Sequence, residues 1–173
     1  MRRSLVHTVE LNEKEFAAAR AVIPHVELQS VCITRSRFTS EVSRALVATM
    51  ELATSSRTQE SVANGSLTLL LDLALRGFKE ECLLLDISAR IEAVYSVTQE
   101  SSFSPYQLKC FAKANGMLNV WPYWRDFVQS SVTRADLPPL TLPLFRVLHT
   151  RKAARILESA HQAPKELPKE KAE

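Results

Sequence analysis

The chain has 173 residues, 46% of them hydrophobic and 24% charged, with 22 Lys and Arg against 19 Asp and Glu for a formal net charge of +3. This composition excludes disordered and fibrous chains, and the length suits one compact domain whose core needs no metal or disulfide staple. The charge is too small to argue for a nucleic-acid partner, and no uncharged run reaches the roughly 18 residues that a membrane-spanning helix needs.

In chain order, Met1-Arg2-Arg3 is followed by no apolar run of signal-peptide length, so the protein is expected to stay in the cytoplasm. Cys32, Cys82 and Cys110 lie far apart and fit free thiols in such a reducing compartment. Asn12 with Glu15 resembles a capping box and predicts a short helix through Phe16 to Val22, ending before Pro24 and loosely attached, within an N-terminal extension over residues 1–24. All eight prolines fall at Pro24 or beyond Ser104, and the proline-free stretch between them suits strands joined by short turns.

The first run there, Val26 to Phe38, changes phase: Val26 and Leu28 share one face, Val31 and Ile33 the other. A bulge near Gln29 and Ser30 accounts for this, and a strand wet on neither face accounts for it equally. Leu46, Ala48, Met50 and Leu52 alternate next, closed by the polar run Thr54 to Glu60 and the Asn64-Gly65 turn signal. Leu67, Leu69, Leu71, Leu73 and Leu75 form a half-buried strand. Leu83 to Tyr95 alternates in the same way, and the short Gly77 to Glu81 link makes a hairpin of the two. Glu80 to Glu92 is also rich in helix formers, but the alternation favours the strand.

Beyond residue 104 the pattern turns helical. Ser104-Pro105 caps a short helix striped by Leu108, Phe111 and Ala112 and ended by Asn115-Gly116. Pro122 opens a second helix, Tyr123 to Ala135, with Trp124, Phe127, Val128 and Val132 on one side. Leu137 to Pro143 is an extended connector, because each proline pushes its predecessor out of the helical region. A last helix is expected from Leu144 to about Ala160, with Arg146, His149, Arg151, Lys152 and Arg155 on a polar surface. A charged tail over residues 161–173 has almost nothing to bury and is expected to be disordered.

No phosphate-cradling or nucleophile-elbow motif is present, and His7, His25, His149 and His161 are scattered, so no catalytic residue, cofactor or metal is expected. Asp72 and Asp86 read as cross-strand partners of Arg76 and Arg90 on a polar sheet face rather than as an acid/base pair. Trp121-Pro122-Tyr123-Trp124 reads as a helix start packed on the sheet.

The segment Asn119 to Val128, with Pro122, Tyr123 and Arg125, followed by Arg134 and by Pro138, Pro139, Leu140 and Leu142 of the connector, resembles the SecB family of bacterial protein-export chaperones. The likeness spans roughly residues 25 to 148, with the SecB-like domain taken as 25–160. The doubled proline and Thr141 resemble the divergent SecB-like branch, some of whose members serve toxin-antitoxin systems. The resemblance implies an α+β protomer with a four-stranded antiparallel sheet backed by helices, assembling as a dimer of dimers. It also implies ATP-independent holding of unfolded polypeptides or preproteins in apolar grooves. Apolarity makes Val31, Ile33, Phe38 and Trp121 the client-binding candidates. The family's export members are acidic and present carboxylates to the SecA motor. Here a pI near 8.9, with Arg35 and Arg37 in the first strand, argues against SecA as partner and leaves a dedicated partner-binding chaperone as the alternative.

Overall fold

The structure, a computed structural model, describes residues 8–41, 51–98 and 102–150. Their elements are β1 (Thr8–Leu11), α1 (Glu13–Val22), a single 3-10 turn, β2 (Val26–Ser40), β3 (Glu51–Ala63), β4 (Ser66–Lys79), β5 (Cys82–Val97), α2 (Pro105–Phe111), α3 (Met117–Arg134) and β6 (Arg146–His149). Strands β2 to β5 form an antiparallel sheet in the order β2-β5-β4-β3, and β1 pairs with β6 in a parallel ribbon of two. This is an α+β fold, as the sequence suggests.

The alternation of leucines is what builds the sheet's core face. Leu67, Leu69, Leu71 and Leu75 of β4 have no solvent contact, and Leu85, Ile87, Ile91, Ala93 and Tyr95 of β5 are buried beside them. Against them pack Phe111, Met117, Val120, Trp121, Trp124, Val128 and Val132 from the helical half. Each fully buried aliphatic side chain contributes about 2 kcal/mol of transfer free energy, so these two strands carry much of the fold's stability. The hairpin between them turns on Glu80-Glu81 and its neighbour on Asn64-Gly65, two-residue turns with positive φ at all four positions.

Four expectations give way to the structure. The polar run Thr54 to Glu60 does not close a strand but forms most of β3, paired to β4 from Glu51 opposite Phe78 to Ala63 opposite Ser66. An edge strand tolerates such a polar sequence, because one of its flanks faces water. Of the alternating run expected there, residues 46–50 lie outside the described residues.

The N-terminal helix is docked rather than loose. Its capping box forms as read, with Asn12 Oδ1 accepting from the Glu15 amide at 2.9 Å. Val22 then enters the main core, while Leu11 and Ala19 are buried with Cys110 and Ala114 of the helical half.

Asn115-Gly116 does not end a helix. The chain runs from α2 through one π-type turn, Ala112–Gly116, into α3, with Gly116 itself helical at φ −57° and ψ −49°. A Cβ on Gly116 would lie 2.7 Å from Leu69 Cδ1, so the glycine permits close approach of helix to sheet rather than a turn. Pro122 accordingly sits inside α3 and not at its start.

Residues 146–149 form β6 instead of continuing a helix, with Val9 opposite Val147 and Leu11 opposite His149. The extended connector delivers the chain to β1 in strand conformation, and Thr150 Oγ1 donates to the Leu11 carbonyl at 3.0 Å. Residues 151–173, the rest of the expected helix and the charged tail, lie outside the described residues.

Candidate polypeptide-binding surface

Strand β2 forms one edge of the sheet, and its phase change is resolved by two bulges, between Leu28 and Ser30 and between Ile33 and Arg35. The first is the bulge suggested by the sequence. Together they bring every large apolar residue of the strand to one face: Leu28 lies opposite Tyr95, Val31 opposite Ala93, Ile33 opposite Ile91 and Phe38 opposite Ile87. That face is the core face, yet the helices do not cover it here. Leu28 and Ile33 stay 40% and 39% exposed, and Val31 and Phe38 are half-buried against the core. Among the described residues, helical cover is complete over β4 and β5 and incomplete over β2, which leaves an apolar shelf along the sheet edge.

Of the candidates, Val31, Ile33 and Phe38 are thus brought together, while Trp121 lies apart from them in the core, 3% exposed. Its indole Nε1 donates to the Pro143 carbonyl at 2.8 Å, and its ring lies 5.5 Å from that of Phe145. Leu28 belongs with the three although apolarity alone did not single it out; its signal was the two-residue spacing from Val26, in phase with Val31 once the bulge is counted.

The motif residues of the helical half frame the connector. Arg125 Nε donates to the Leu142 carbonyl at 2.8 Å, and the Leu142 side chain is buried in the core. Pro138 and Leu140 are half-buried, whereas Pro139, Pro122 and Tyr123 face solvent. Arg134 is exposed in the last turn of α3, where a cation complements the helix dipole.

The opposite face of the sheet is polar. Asp72 and Arg90 are cross-strand neighbours, with Arg90 Nε donating to Asp72 Oδ1 at 2.7 Å and its Nη2 to Oδ2 at 2.9 Å. Asp86 lies opposite Arg76, 3.6 Å from its Nε. Hydrogen bonding from Arg90 holds the Asp72 carboxyl below its ordinary range, against the opposing effect of burial. On the core side, burial pushes the Tyr95 phenol up, although Asn119 Nδ2 donates to its oxygen at 3.0 Å.

Among the described residues no cluster of His, Cys, Asp or Glu could hold a metal ion, and no helix is long and apolar enough to cross a membrane. His149 packs edge-on to Phe16, with ring centroids 5.2 Å apart, and His25 lies against Phe103.

No family model and no curated protein matches the chain in sequence. Among solved structures it is similar to a SecB-like chaperone of Mycobacterium tuberculosis, determined in complex with a ChAD peptide from the HigA1 antitoxin. The TM-score is 0.67 at 14% identity, over 74% of this chain and 96% of that one. A Streptococcus agalactiae protein of unknown function aligns with a TM-score of 0.46 at 11% identity, over 69% of this chain and 97% of that one. A sheet in the order β2-β5-β4-β3, covered on one face by α2 and α3 and matched over nearly the whole of that chaperone, gives this chain the SecB-like fold.

Proposed function

We propose that the chain is a SecB-like holdase, which binds unfolded polypeptides or preproteins without ATP and keeps them from aggregating. The observation that carries this reading is the row Leu28, Val31, Ile33 and Phe38, apolar side chains on the core face of an edge strand that the described helices leave only partly covered. Burial of apolar surface is non-directional, so such a row accepts many extended sequences. Its outer flank, unpaired to any described strand from Leu28 to Phe38, offers backbone hydrogen bonds that any polypeptide can make. The protein then works by binding rather than by chemistry of its own.

The SecB-like domain is taken as residues 25–160, with residues 1–24 as an extension and 161–173 as a charged tail. We take it to assemble as a dimer of dimers in the cytoplasm, and apolar surface beyond what one protomer covers supports the association. The net positive charge argues against handing clients to SecA for export. The antitoxin peptide bound by the mycobacterial chaperone favours a second reading, a chaperone dedicated to one partner of that kind. A light-scattering assay separates the two. Stoichiometric protein should suppress the aggregation of several unrelated unfolded clients under the holdase reading. Suppression of none, with capture of a single partner, establishes the dedicated one.

A further inference from the structure

The outer face of the sheet carries a second feature, independent of the apolar shelf. Its three central rungs run across all four strands. The first holds Arg57, Asp72, Arg90 and Arg35, the second Ser55, Ala74, Ser88 and Arg37, and the third Ala53, Arg76, Asp86 and Thr39. Small side chains on β3, β4 and β5 thus floor a transverse trough, Arg37 stands at its β2 end, and two charged rows flank it. A depression of about 430 Å³ lies there, lined by residues of the first two rungs. Rungs on one face are about 6.8 Å apart, so the walls stand about 14 Å from each other.

Five arginines on these rungs meet two aspartates, an excess of three positive charges on the rungs themselves, with Glu92 one rung beyond Arg90. Asp72 is engaged at both oxygens by Arg90. Arg35 and Arg57 feel its charge without coming within ion-pair distance, and both are exposed. Arg37, with its side chain 72% exposed, reaches Asp86 only at 4.0 Å. These guanidinium groups present unused donor forks toward solvent, a geometry that matches carboxylates two oxygens at a time.

We propose that this trough docks an acidic polypeptide segment of a partner protein, lying across the strands with its carboxylates on Arg35, Arg37 and Arg57. Four strands at about 4.8 Å spacing give the trough a length of about 14 Å, room for four to five extended residues. A carboxylate-bearing peptide fits better than a nucleic acid. The depression has no aromatic side chain on which a base could stack, and planar two-oxygen carboxylates match the guanidinium forks. A second copy of the chain would bring like charge against like.

The test is fluorescence anisotropy of a labelled Glu-rich octapeptide titrated with the full-length protein, beside its Gln-rich counterpart. The acidic peptide should bind at least tenfold more tightly than the neutral one and lose affinity as salt rises from 50 to 200 mM, about the range over which exposed charges become screened. The triple variant Arg35→Glu, Arg37→Glu, Arg57→Glu should abolish this binding while its circular dichroism and Tm stay near those of the wild type. The Asp72–Arg90 pair is left intact in it. Leu28→Asp with Ile33→Asp should leave acidic-peptide binding unchanged, which separates this surface from the apolar shelf. Equal affinity for the two peptides overturns the proposal, as does binding that survives the charge reversal. Tighter binding of single-stranded RNA or of anionic vesicles through the same three arginines overturns the choice of partner. If the triple variant fails to fold, the single Arg57→Gln and Arg35→Gln variants must each weaken the acidic peptide at least threefold.

Discussion

Trp121 and Arg125 stand one helical turn apart on α3 and hold adjacent carbonyls of the connector, Pro143 and Leu142, each at 2.8 Å. Two donors on one helix face therefore clamp a segment whose prolines lack the amide donors that regular structure uses. They also set the path that brings Phe145 onto Trp121 and β6 beside β1. Arg125→Ala leaves the Leu142 carbonyl without its charged donor and should cost about 2 kcal/mol in urea denaturation. Trp121→Phe keeps most of the ring packing and should cost about 1 kcal/mol. A loss below 0.3 kcal/mol in both variants would sink the clamp.

Gly116 is under pressure from the sheet rather than from its backbone. Gly116→Ala gains about 1 kcal/mol of helix propensity but must displace Leu69 in a packed core, and should lower stability by about 1 kcal/mol net. Gly116→Val should lower it by about 3 kcal/mol. Stabilisation by valine would show that the approach of helix to sheet is not tight.

Stability should fall at both ends of the pH scale for different reasons. The Asp72 carboxyl titrates below its unfolded value, so its contribution is complete above the ordinary carboxylate range near about 4 and disappears as pH drops through the lowered folded value. Asp72→Asn should flatten the acid limb of a Tm against pH curve. Tyr95 is raised, so its contribution is complete below about 10 and disappears as pH climbs past that point. Tyr95→Phe should remove that part of the alkaline limb. An unchanged limb in either variant would place the titration elsewhere.

The two hairpin turns share a conformation but not a chemistry. Asn64-Gly65 suits positive φ, whereas Glu80 and Glu81 adopt φ of 48° and 68° with full side chains and like charges. Replacing Glu80-Glu81 by Asn-Gly should raise stability by about 1 kcal/mol. Calorimetry that showed no rise in Tm would mean the turn is not strained.

On the apolar shelf, Ile33→Asp with Leu28→Asp should leave the fold intact, since both side chains are already two-fifths exposed. Client protection should weaken roughly tenfold, the equivalent of losing one buried aliphatic contact. Protection undiminished by this pair would move the client site off β2.

Legibility in the sequence followed covering. Interior strands β4 and β5 are buried on one face along their length, so their leucines alternate without interruption and were plain to read. Strand β3 meets water along a flank and on its outer face, so its composition carries no period and looked like loop. Strand β2 was partly legible because a bulge breaks the period while preserving its direction. Asn115-Gly116 and the residues after Pro143 misled for a shared reason. A glycine required by Leu69 across the core, and a strand required by Val9 and Leu11 far upstream, answer to partners distant in sequence. That Asp72 and Asp86 face Arg76 and Arg90 across the strands was visible from alternation, while the individual pairs needed the register. Trp121 reads both as packed on the sheet and as a client-binding candidate, and the connector's return places it in the core.

The two bulges in β2 bear on how quickly anything held there can leave. Each interrupts the ladder, dividing the strand into pairing stretches Val26–Leu28, Ser30–Ile33 and Arg35–Ser40. A polypeptide laid along the outer edge can keep register with only one stretch at a time unless it carries matching irregularities of its own. Adhesion of this proposed kind would come in short independent pieces, each dissociating without the others. Under the proposed function, a polypeptide held there would leave by fraying, at a rate set by its weakest stretch.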